Sequence, residues 1–212
     1  GLGNTTQQNT PVLLMSGVTT MAGGTSHSVF VKTDGTAWAM GLNSTGQLGD
    51  ASTTQRLAPV QMAGVTSAAS VAAGSAHTLV RRTDNTLRAA GSNSWGQLGD
   101  TSNTQRTTAV TVTGISTAAE IAAGNTHSYA RLADGTVKSW GSNTSYELGD
   151  NTQTSRNAPV TVSGLASIGS IGAGQSFGIA VSTTGVVYTW GSNGYAEQGD
   201  GTITTPAPVP HA

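Results

Sequence analysis

The stretch Ile121-Ala122-Ala123-Gly124-Asn125-Thr126-His127 decides the fold, because the chain repeats its pattern every 50 residues. Its counterparts, in which small residues and a glycine precede the last position, lie at 21–27, 71–77 and 171–177. A second pattern within 141–150, Gly-Ser-Asn followed by Leu-Gly-Asp, returns at the same spacing. Self-similarity at a fixed period is the signature of a repeat architecture. The sequence therefore predicts four copies of one structural unit.

Short apolar runs alternate with turn residues inside each unit. In the second unit, His77–Arg81 and Thr86–Gly91 flank Thr83-Asp84-Asn85 and are typical of a β-hairpin. Asp34-Gly35 holds the same slot, and we expect both residues of such a pair to adopt positive φ, which matches the twist of the strands. A strand of small residues precedes the hairpin, and a strand such as Pro159-Val160 follows it. Each unit is therefore predicted to be a four-stranded antiparallel sheet, packed with its neighbours around a common axis.

The conserved frame of the units resembles the regulator-of-chromosome-condensation repeat. The resemblance covers the whole chain and rests on runs such as 121–150, on Trp140 before its glycine, and on Gly-Gln-Leu-Gly at 46–49 and 96–99. It implies an all-β fold, a β-propeller that usually has seven blades. The predicted units are a partial repeat at 1–17 and four repeats at 18–67, 68–117, 118–167 and 168–212.

Three departures from the family pattern predict local differences. The expected tryptophan stands at Trp140 and Trp190, but Met40 and Ala90 replace it in the first two units. We expect Trp38, two residues before Met40 on the same strand face, to refill the first gap, and we expect the second unit to be looser. Tyr146-Glu147 and Ala196-Glu197 replace Gly-Gln, which predicts a change of loop shape.

The two ends of the chain carry the same half-unit. Leu2-Gly3-Asn4 followed by Pro11-Val12 repeats the element at 48–60, and Gly199-Asp200 followed by Pro208-Val209 supplies it again. A ring closed by strand exchange needs complementary ends, so one strand would be left over. The sequence thus predicts an incomplete ring, cut from a longer propeller or completed by other copies, further blades or another chain.

Composition narrows the class of function. The 212 residues carry 9 Lys and Arg and a net charge of −1, which gives no clustered basic surface for nucleic acid. Only 9% of residues are charged, so hydroxyls and amides cover the surface, as expected of an extracellular or virion protein. The chain has no cysteine, and no apolar run approaches the roughly 18 residues of a membrane span.

The histidines of the repeat are candidate metal ligands, but the expected distance between equivalent positions on neighbouring blades argues against a shared metal ion. His27, His77 and His127 hold equivalent positions on neighbouring blades, which pack on the order of 10 Å apart. Zinc ligands, held at about 2.0–2.1 Å from one ion, must nearly touch each other. We therefore predict structural histidines, hydrogen-bonded to neighbouring backbone, and no metal site. Other structural repeat positions are Gly49, Gly99, Gly149, Gly199, Trp140 and Trp190.

Two further patterns imitate catalytic sites. Gly174-Gln175-Ser176-Phe177-Gly178 matches the Gly-x-Ser-x-Gly pattern of hydrolases, but the repeat predicts no strand-to-helix elbow there. Asp50, Asp100, Asp150 and Asp200 each follow a glycine in a turn, where capping of local backbone is the ordinary role. The sequence therefore predicts no catalytic residue, no enzymatic activity and no cofactor.

Positions that vary inside the fixed frame are the candidates for binding. One loop slot holds Thr45, Trp95, Ser145 and Tyr195, and Tyr146 lies beside it. Trp and Tyr are enriched in binding hot spots. The alternative for Trp95 is that its ring folds over its own blade and fills the space left by Ala90. We predict a non-enzymatic interaction or structural module of a secreted, cell-surface or virion protein, with a protein or glycan partner. The alternative, which the family resemblance implies, is a guanine-nucleotide exchange or chromatin-associated factor.

Overall fold

The structure, a computed structural model, describes residues 2–203 and 206–211 and is all-β over these residues. Gly1, Thr204, Thr205 and Ala212, which the predicted repeat boundaries include, lie outside the described residues. The strands are β1 Val18–Gly23, β2 His27–Lys32, β3 Ala37–Gly41, β4 Arg56–Gln61, β5 Ala68–Ala73, β6 His77–Arg82, β7 Leu87–Gly91, β8 Arg106–Thr111, β9 Ala118–Ala123, β10 His127–Leu132, β11 Val137–Gly141, β12 Arg156–Thr161, β13 Ile168–Ala173, β14 Phe177–Ser182, β15 Val187–Gly191 and β16 Ala207–His211.

These strands form four four-stranded antiparallel sheets, each in sequence order, β1–β4, β5–β8, β9–β12 and β13–β16. The predicted all-β fold of four four-stranded blades is confirmed, whereas the incomplete ring stays a prediction, and we call the sheets blades 1 to 4. The strand nearest the shared centre is the one of small residues, such as β9 with its four alanines. Small side chains suit this position because strands of neighbouring blades converge there.

The hairpin between the second and third strands differs from the prediction. Only the second residue of the pair has positive φ, as at Gly35 (φ 76°) and Asn85 (φ 63°). The Gly35 amide donates to the Lys32 carbonyl, and the Lys32 amide donates to the Thr36 carbonyl, which makes a three-residue loop with a bulge. The prediction that both residues of the pair adopt positive φ was wrong. The aspartate instead caps the turn with its side chain, since Asp34 Oδ1 accepts from the Thr36 amide at 2.9 Å.

Blades 2 and 3 each pack against a neighbouring blade on both faces. The face that carries Leu79 and Leu87 in blade 2 packs against Ala130 and Trp140 of blade 3, and all four side chains are buried. We call the face of a blade that carries the positions of Leu79 and Leu87 its forward face. The opposite face, which carries the positions of Ala130 and Trp140, is its rear face. The same pairing recurs where Val29 of blade 1 meets blade 2, and where Tyr129 of blade 3 meets blade 4. The hydrophobic core is therefore divided into three seams, each between one forward and one rear face.

The segment before β1 contains no strand among residues 2–17, although the sequence places a half-unit there. It keeps the turn of that half-unit, since Asn4 Oδ1 accepts from the Thr6 amide at 3.0 Å. The Gly3 amide donates to the Leu57 carbonyl of β4 at 2.9 Å. Pro11, Val12 and Leu13 are exposed. This segment therefore touches blade 1 at its outer strand.

Candidate binding surface

A buried asparagine organises the long loop between the third and fourth strands. In blade 1, Asn43 Nδ2 donates to Asp50 Oδ1 at 2.9 Å and to the carbonyls of Ser52 and Thr54, both at 3.1 Å. Its Oδ1 accepts from the Leu48 amide at 3.0 Å. Asn93 and Asn143 repeat this network in the next two blades. One amide side chain thus satisfies backbone groups from both ends of the loop.

The loop aspartates are structural acceptors. Asp50 Oδ2 accepts from Arg56 Nε at 2.7 Å, and Asp100 and Asp150 pair in the same way with the following arginine. Burial alone would raise the pKa of Asp50, but hydrogen bonds from Arg56 and Ser52 outweigh it and hold that pKa below its ordinary value. Asp200 has no such arginine, because Pro206 holds the position equivalent to Arg156; it accepts from the amide and hydroxyl of Thr202 and from Asn193 Nδ2.

The repeat histidines join neighbouring blades through side-chain hydroxyls. His27 Nε2 lies 3.0 Å from Thr78 Oγ1, and that hydroxyl donates to the Gln47 carbonyl at 2.7 Å. Because the hydroxyl has one proton and gives it to the carbonyl, His27 must be the donor, which fixes the proton on Nε2. His77 and Ser128 repeat the arrangement at 3.0 Å. The expected backbone partner is thus replaced by a hydroxyl on the next blade.

Burial lowers the pKa of all three histidines, to about 4 for His27, about 3 for His77 and about 4 for His127. His127 differs in its surroundings. The position that supplies Thr78 and Ser128 is Gly178 in blade 4, and no side-chain partner of His127 is found among the described residues. Instead its ring stands edge-on to Tyr129, with 4.9 Å between centroids.

Tryptophan and glycine meet across the seams. Trp140 and Trp190 are fully buried, and their Nε1 atoms donate to the carbonyls of Gln97 and Glu147 at 2.9 and 2.8 Å. Gly99 leaves room for Trp140, since a Cβ there would lie 2.9 Å from its Nε1.

The second blade, where Ala90 replaces the tryptophan, is filled from the other side of the seam. Met62, which is buried, occupies the position of Val112 and Val162. Its Cε atom reaches the space beside Gly49, since a Cβ on that glycine would lie 2.8 Å from it. The prediction of a looser second unit is therefore wrong at this seam. Trp38, expected to refill space beside Met40, is half-buried, with Lys32 Nζ 5.5 Å from its ring centroid.

The predicted loop residues fall into two groups. Thr45 Oγ1 donates to Gln47 Oε1 at 2.8 Å, and the Ser145 amide donates to Glu147 Oε2 at 2.8 Å, so both belong to the loop framework. Trp95 and Tyr195 are 44% and 93% exposed. Tyr146 is half-buried.

The loops with Tyr146 and Ala196 keep the shape of their glycine counterparts. Both residues adopt the left-handed region, with φ of 62° and 61°, and the Gly149 amide donates to the Tyr146 carbonyl as Gly49 does to Gly46. The predicted change of loop shape is wrong, because the surrounding hydrogen bonds impose the conformation on a non-glycine residue.

Trp95 lines a groove at the seam between blades 2 and 3. The groove has a volume of about 390 Å³ and is lined by Trp95, Asn103, Ser155, Arg156, Asn157, Ala158 and Val160. Asn157 Nδ2 donates to Asn103 Oδ1 at 3.2 Å across the seam. Sequence reasoning found Trp95 but not the opposite wall, because polar residues at 155–157 carry no signal of their own in so polar a chain.

A second groove follows the shared centre. It has a volume of about 570 Å³, and the four blades contribute equivalent positions to it, Gly23–Thr25, Ala73–Ser75, Ala123–Asn125 and Ala173–Gln175. Ser176 lies in the turn between β13 and β14, not at a strand-to-helix elbow. Over residues 2–203 and 206–211, no group of three potential metal-ligating side chains comes together. No helix capable of crossing a membrane occurs in the described part of the chain.

Radially repeated four-stranded blades, joined by seams of the same residues, define a repeat protein of the β-propeller class. The family model described as the regulator of chromosome condensation (RCC1) repeat matches residues 34–81 and 134–181, and a second RCC1 model matches 18–47, 68–97, 118–147 and 170–197. The chain belongs to the RCC1 repeat family.

Solved structures share this fold at low sequence identity. Human WBSCR16 is 23% identical with a TM-score of 0.82, over 92% of this chain and 53% of that one. Yeast RCC1 (Prp20) bound to Kap60 is 24% identical with a TM-score of 0.83, over 94% and 49%. Prp20p from Saccharomyces cerevisiae, in a structure reported with its binding properties to Gsp1p and histones, is 24% identical with a TM-score of 0.78, over 91% and 49%.

The chain spans about half the length of these solved chains. A comparison with curated proteins gives no match.

Proposed function

We propose that this chain is a non-enzymatic protein-interaction module that binds through the loops at its seams. The observation that carries the proposal is Trp95, whose 44% exposed side chain forms one wall of the groove between blades 2 and 3. Trp and Arg are enriched in protein-binding hot spots, and Trp95 and Arg156 line the same groove. Tyr195, in the same loop slot of blade 4, offers a second exposed ring.

The state of the titratable groups supports a non-catalytic role. The aspartates and histidines with the clearest pKa shifts in the seams and loops are buried against neighbouring blades or bonded to backbone and hydroxyl groups. Perturbed groups of this kind also occur in structural networks, not only in active sites. The low fraction of charged residues supports an extracellular or virion surface as the location.

Proteins bound by similar structures provide the first probes. Biolayer interferometry with the immobilised chain and Gsp1p, Kap60 or core histones would measure affinity for the wild type and for Trp95→Ala/Tyr195→Ala. We expect a bound protein to lose at least tenfold in affinity, corresponding to about 1.4 kcal/mol, with the double variant. Thr113→Ala, an exposed change on blade 2, is the matched control. Unchanged affinity of the double variant, or no binding to any probe, would contradict the proposal.

The second candidate is guanine-nucleotide exchange, favoured by the similarity to Prp20p, whose structure is reported with binding to Gsp1p. Release of fluorescent GDP from Gsp1p separates the two candidates. We expect the chain to leave the release rate unchanged. A clear acceleration that Trp95→Ala does not remove would overturn the loop-binding proposal in favour of exchange activity.

A further inference from the structure

The two ends of the blade array present different apolar faces. In blades 2 and 3, the forward-face positions Leu79, Leu87 and Tyr129 are 0% exposed because the next blade covers them. Their equivalents in blade 4, Ile179 and Val187, are 39% and 51% exposed. A shallow apolar depression of about 240 Å³ lies beside these two side chains, over Gly172, which pairs with Ile179. The last blade thus retains side chains typical of a seam.

The first blade presents the opposite surface. The rear-face positions Ile121, Ala130 and Trp140 of blade 3 all pack in the seam with blade 2. Their equivalents in blade 1 are Met21, Phe30 and Met40, of which Met21 is 74% exposed, Met40 is half-buried and Phe30 is buried. The array therefore ends in a forward face at one side and a rear face at the other.

We propose that the forward face of blade 4 packs against the rear face of blade 1 in a second copy of this chain. The chain contains three examples of this contact, built from the same positions each time. Ile179 and Val187 match Leu79 and Leu87 in kind, and Met21 and Met40 are apolar like Ile121 and Trp140. A flexible methionine adapts well to a partner surface.

Backbone groups complement the apolar match. At each internal seam, an amide after the loop aspartate donates to the outer strand of the next blade, as Ala51 does to Thr107 and Thr101 does to Asn157, both at 2.9 Å. Gly201 holds the donor position in blade 4 and also has a positive φ, of 82°, as Ala51 and Thr101 do. Leu57 holds the acceptor position in blade 1, where it accepts from the Gly3 amide of its own chain. The second copy would replace Gly3 at this carbonyl.

The proposal requires a ring of two copies. A face that binds a different face makes a head-to-tail contact, which ends only when a ring closes. Two copies supply eight blades, within the range of four to eight seen in propellers. The chain covers 49–53% of the similar solved chains, so two copies approach the length of one such chain.

Solution mass tests the proposal. Light scattering after size exclusion, on the 212-residue chain, is expected to give twice 21.2 kDa. Ile179→Asp/Val187→Asp removes the forward face, and Met21→Asp/Met40→Asp removes the rear face. Each variant alone is expected to be monomeric, because a closed pair uses both faces of both copies. The control is Val186→Asp, an exposed neighbour at a position that is threonine in the other units, and it should remain a dimer.

Mixing separates head-to-tail pairing from like-to-like pairing. The two variants mixed in equal amounts retain one intact seam and are expected to form a weak 1:1 complex. A rear-face variant that stays dimeric alone would overturn the proposal, since forward faces would then be pairing with each other. A wild type that is monomeric up to 200 µM, or that grows into larger assemblies, would overturn it as well.

Cysteine pairing covers the case in which an aspartate variant fails to fold. The chain has no cysteine, so single variants Met21→Cys and Ile179→Cys report only their own contact. Oxidation of their mixture is expected to give a mixed disulfide-linked dimer, whereas Met21→Cys with Val186→Cys gives none. Deletion of residues 2–9 tests the chain's own segment as occupant. A monomeric wild type that dimerises only after this deletion would show that the segment covers blade 1 and would refute pairing of the intact chain.

Discussion

At the scale of single residues, buried imidazoles in this chain depend on a hydroxyl supplied by the next blade. Thr78 is fully buried and serves two groups at once, accepting from His27 and donating to the Gln47 carbonyl. One oxygen of blade 2 therefore satisfies two polar groups of blade 1 across the seam, so its removal would leave two buried groups unpaired.

Thr78→Val preserves shape and removes the hydroxyl. We expect the free energy of unfolding to fall by about 1–3 kcal/mol, since a buried carbonyl and a buried N–H lose their partner. Urea unfolding followed by circular dichroism measures the change. Thr78→Ser keeps the hydroxyl and is expected to retain most of the stability. Equal losses for the valine and serine variants would show that the methyl group, not the hydroxyl, matters at this seam.

The histidine pKa values predict sensitivity to mild acid. The folded-state pKa values, about 3 to about 4, lie below the unfolded value of 6.5. The unfolded chain therefore binds more protons between pH 6.5 and about 4, so the free energy of unfolding falls as pH drops through that window and is fully retained above it. Each histidine contributes a slope of roughly 1.4 kcal/mol per pH unit where only the unfolded state is protonated.

His127→Phe isolates one of these contributions. The imidazole of His127 has no side-chain partner among the described residues, and Phe177 shows that a phenyl ring fits the slot in blade 4. We expect the slope of unfolding free energy between pH 7.5 and 4.5 to shrink by about one third of the three-histidine total. Urea midpoints across that range measure it. An unchanged slope would mean that His127 does not titrate on unfolding.

The sequence predicts which histidines belong to the repeat, but not what they contact. The hydroxyl of Thr78 lies 51 residues from His27, and nothing in the local pattern connects them. A partner on the next blade can be named only once the register of the sheets is known.

At the scale of elements, the long loop before the fourth strand is held by one amide side chain and one ion pair of unequal importance. Asn93 is fully buried and contacts four groups, whereas Arg106 is 37% exposed in its pair with Asp100. Buried hydrogen bonds are costly to break, but exposed pairs contribute little.

Asn93→Ala is expected to lower the free energy of unfolding by about 2–4 kcal/mol, since the Leu98 amide and two carbonyls lose their partner. Arg106→Gln is the matched change and is expected to cost less than about 1 kcal/mol. Thermal unfolding of both variants provides the comparison. A larger loss for the arginine variant would assign the loop to the ion pair.

The seam between blades 1 and 2 offers a test of compensation. Ala90→Trp alone is expected to cost about 1–3 kcal/mol, because Met62 fills the volume that tryptophan needs. Adding Met62→Val recreates the Trp140 and Val112 pair of the next seam. The double variant should recover most of that loss, a coupling above about 1 kcal/mol in a double-mutant cycle of urea unfolding. Additive effects would show that the two positions do not share the space.

The four-stranded units could be predicted from the sequence because strand and turn residues repeat with the same spacing. The hairpin type could not, since Asp34-Gly35 is compatible with two turns and the Thr36 amide decides between them. The filling of the Ala90 gap was missed for a related reason. Met62 lies on the preceding unit, and its side chain reaches across the seam.

At the scale of the whole molecule, stability is expected to be unequal along the array. A repeat protein stabilises each unit through its neighbours, and an end unit has one neighbour fewer. Amides of β14 and β15, beside the exposed Ile179 and Val187, therefore depend on what covers the last blade.

Hydrogen exchange measures that difference. At low protein concentration, we expect β14 and β15 to exchange at least tenfold faster than β6 and β7, because local opening is easier where a sheet face meets water. Raising the concentration should slow β14 and β15 selectively if a second copy covers them. Exchange rates equal in all four blades at low concentration would contradict the expected inequality.

The radial arrangement was predictable because the 50-residue period, the small residues of the first strand and the family resemblance all favour it. The exposed faces were not, because Ile179 and Val187 match their buried equivalents in residue type. Only the position of the blade in the array distinguishes an apolar residue inside a seam from one at an end.

The histidine–hydroxyl contacts of the first two seams and the tryptophan contacts of the last two all join one unit to the next unit along the chain. An additional 50-residue module spliced in at a unit boundary would accordingly find compatible surfaces before and behind it. The architecture can thus lengthen or shorten by whole modules. A deletion of half a module would instead remove the contacts of one histidine, one tryptophan and one loop at once.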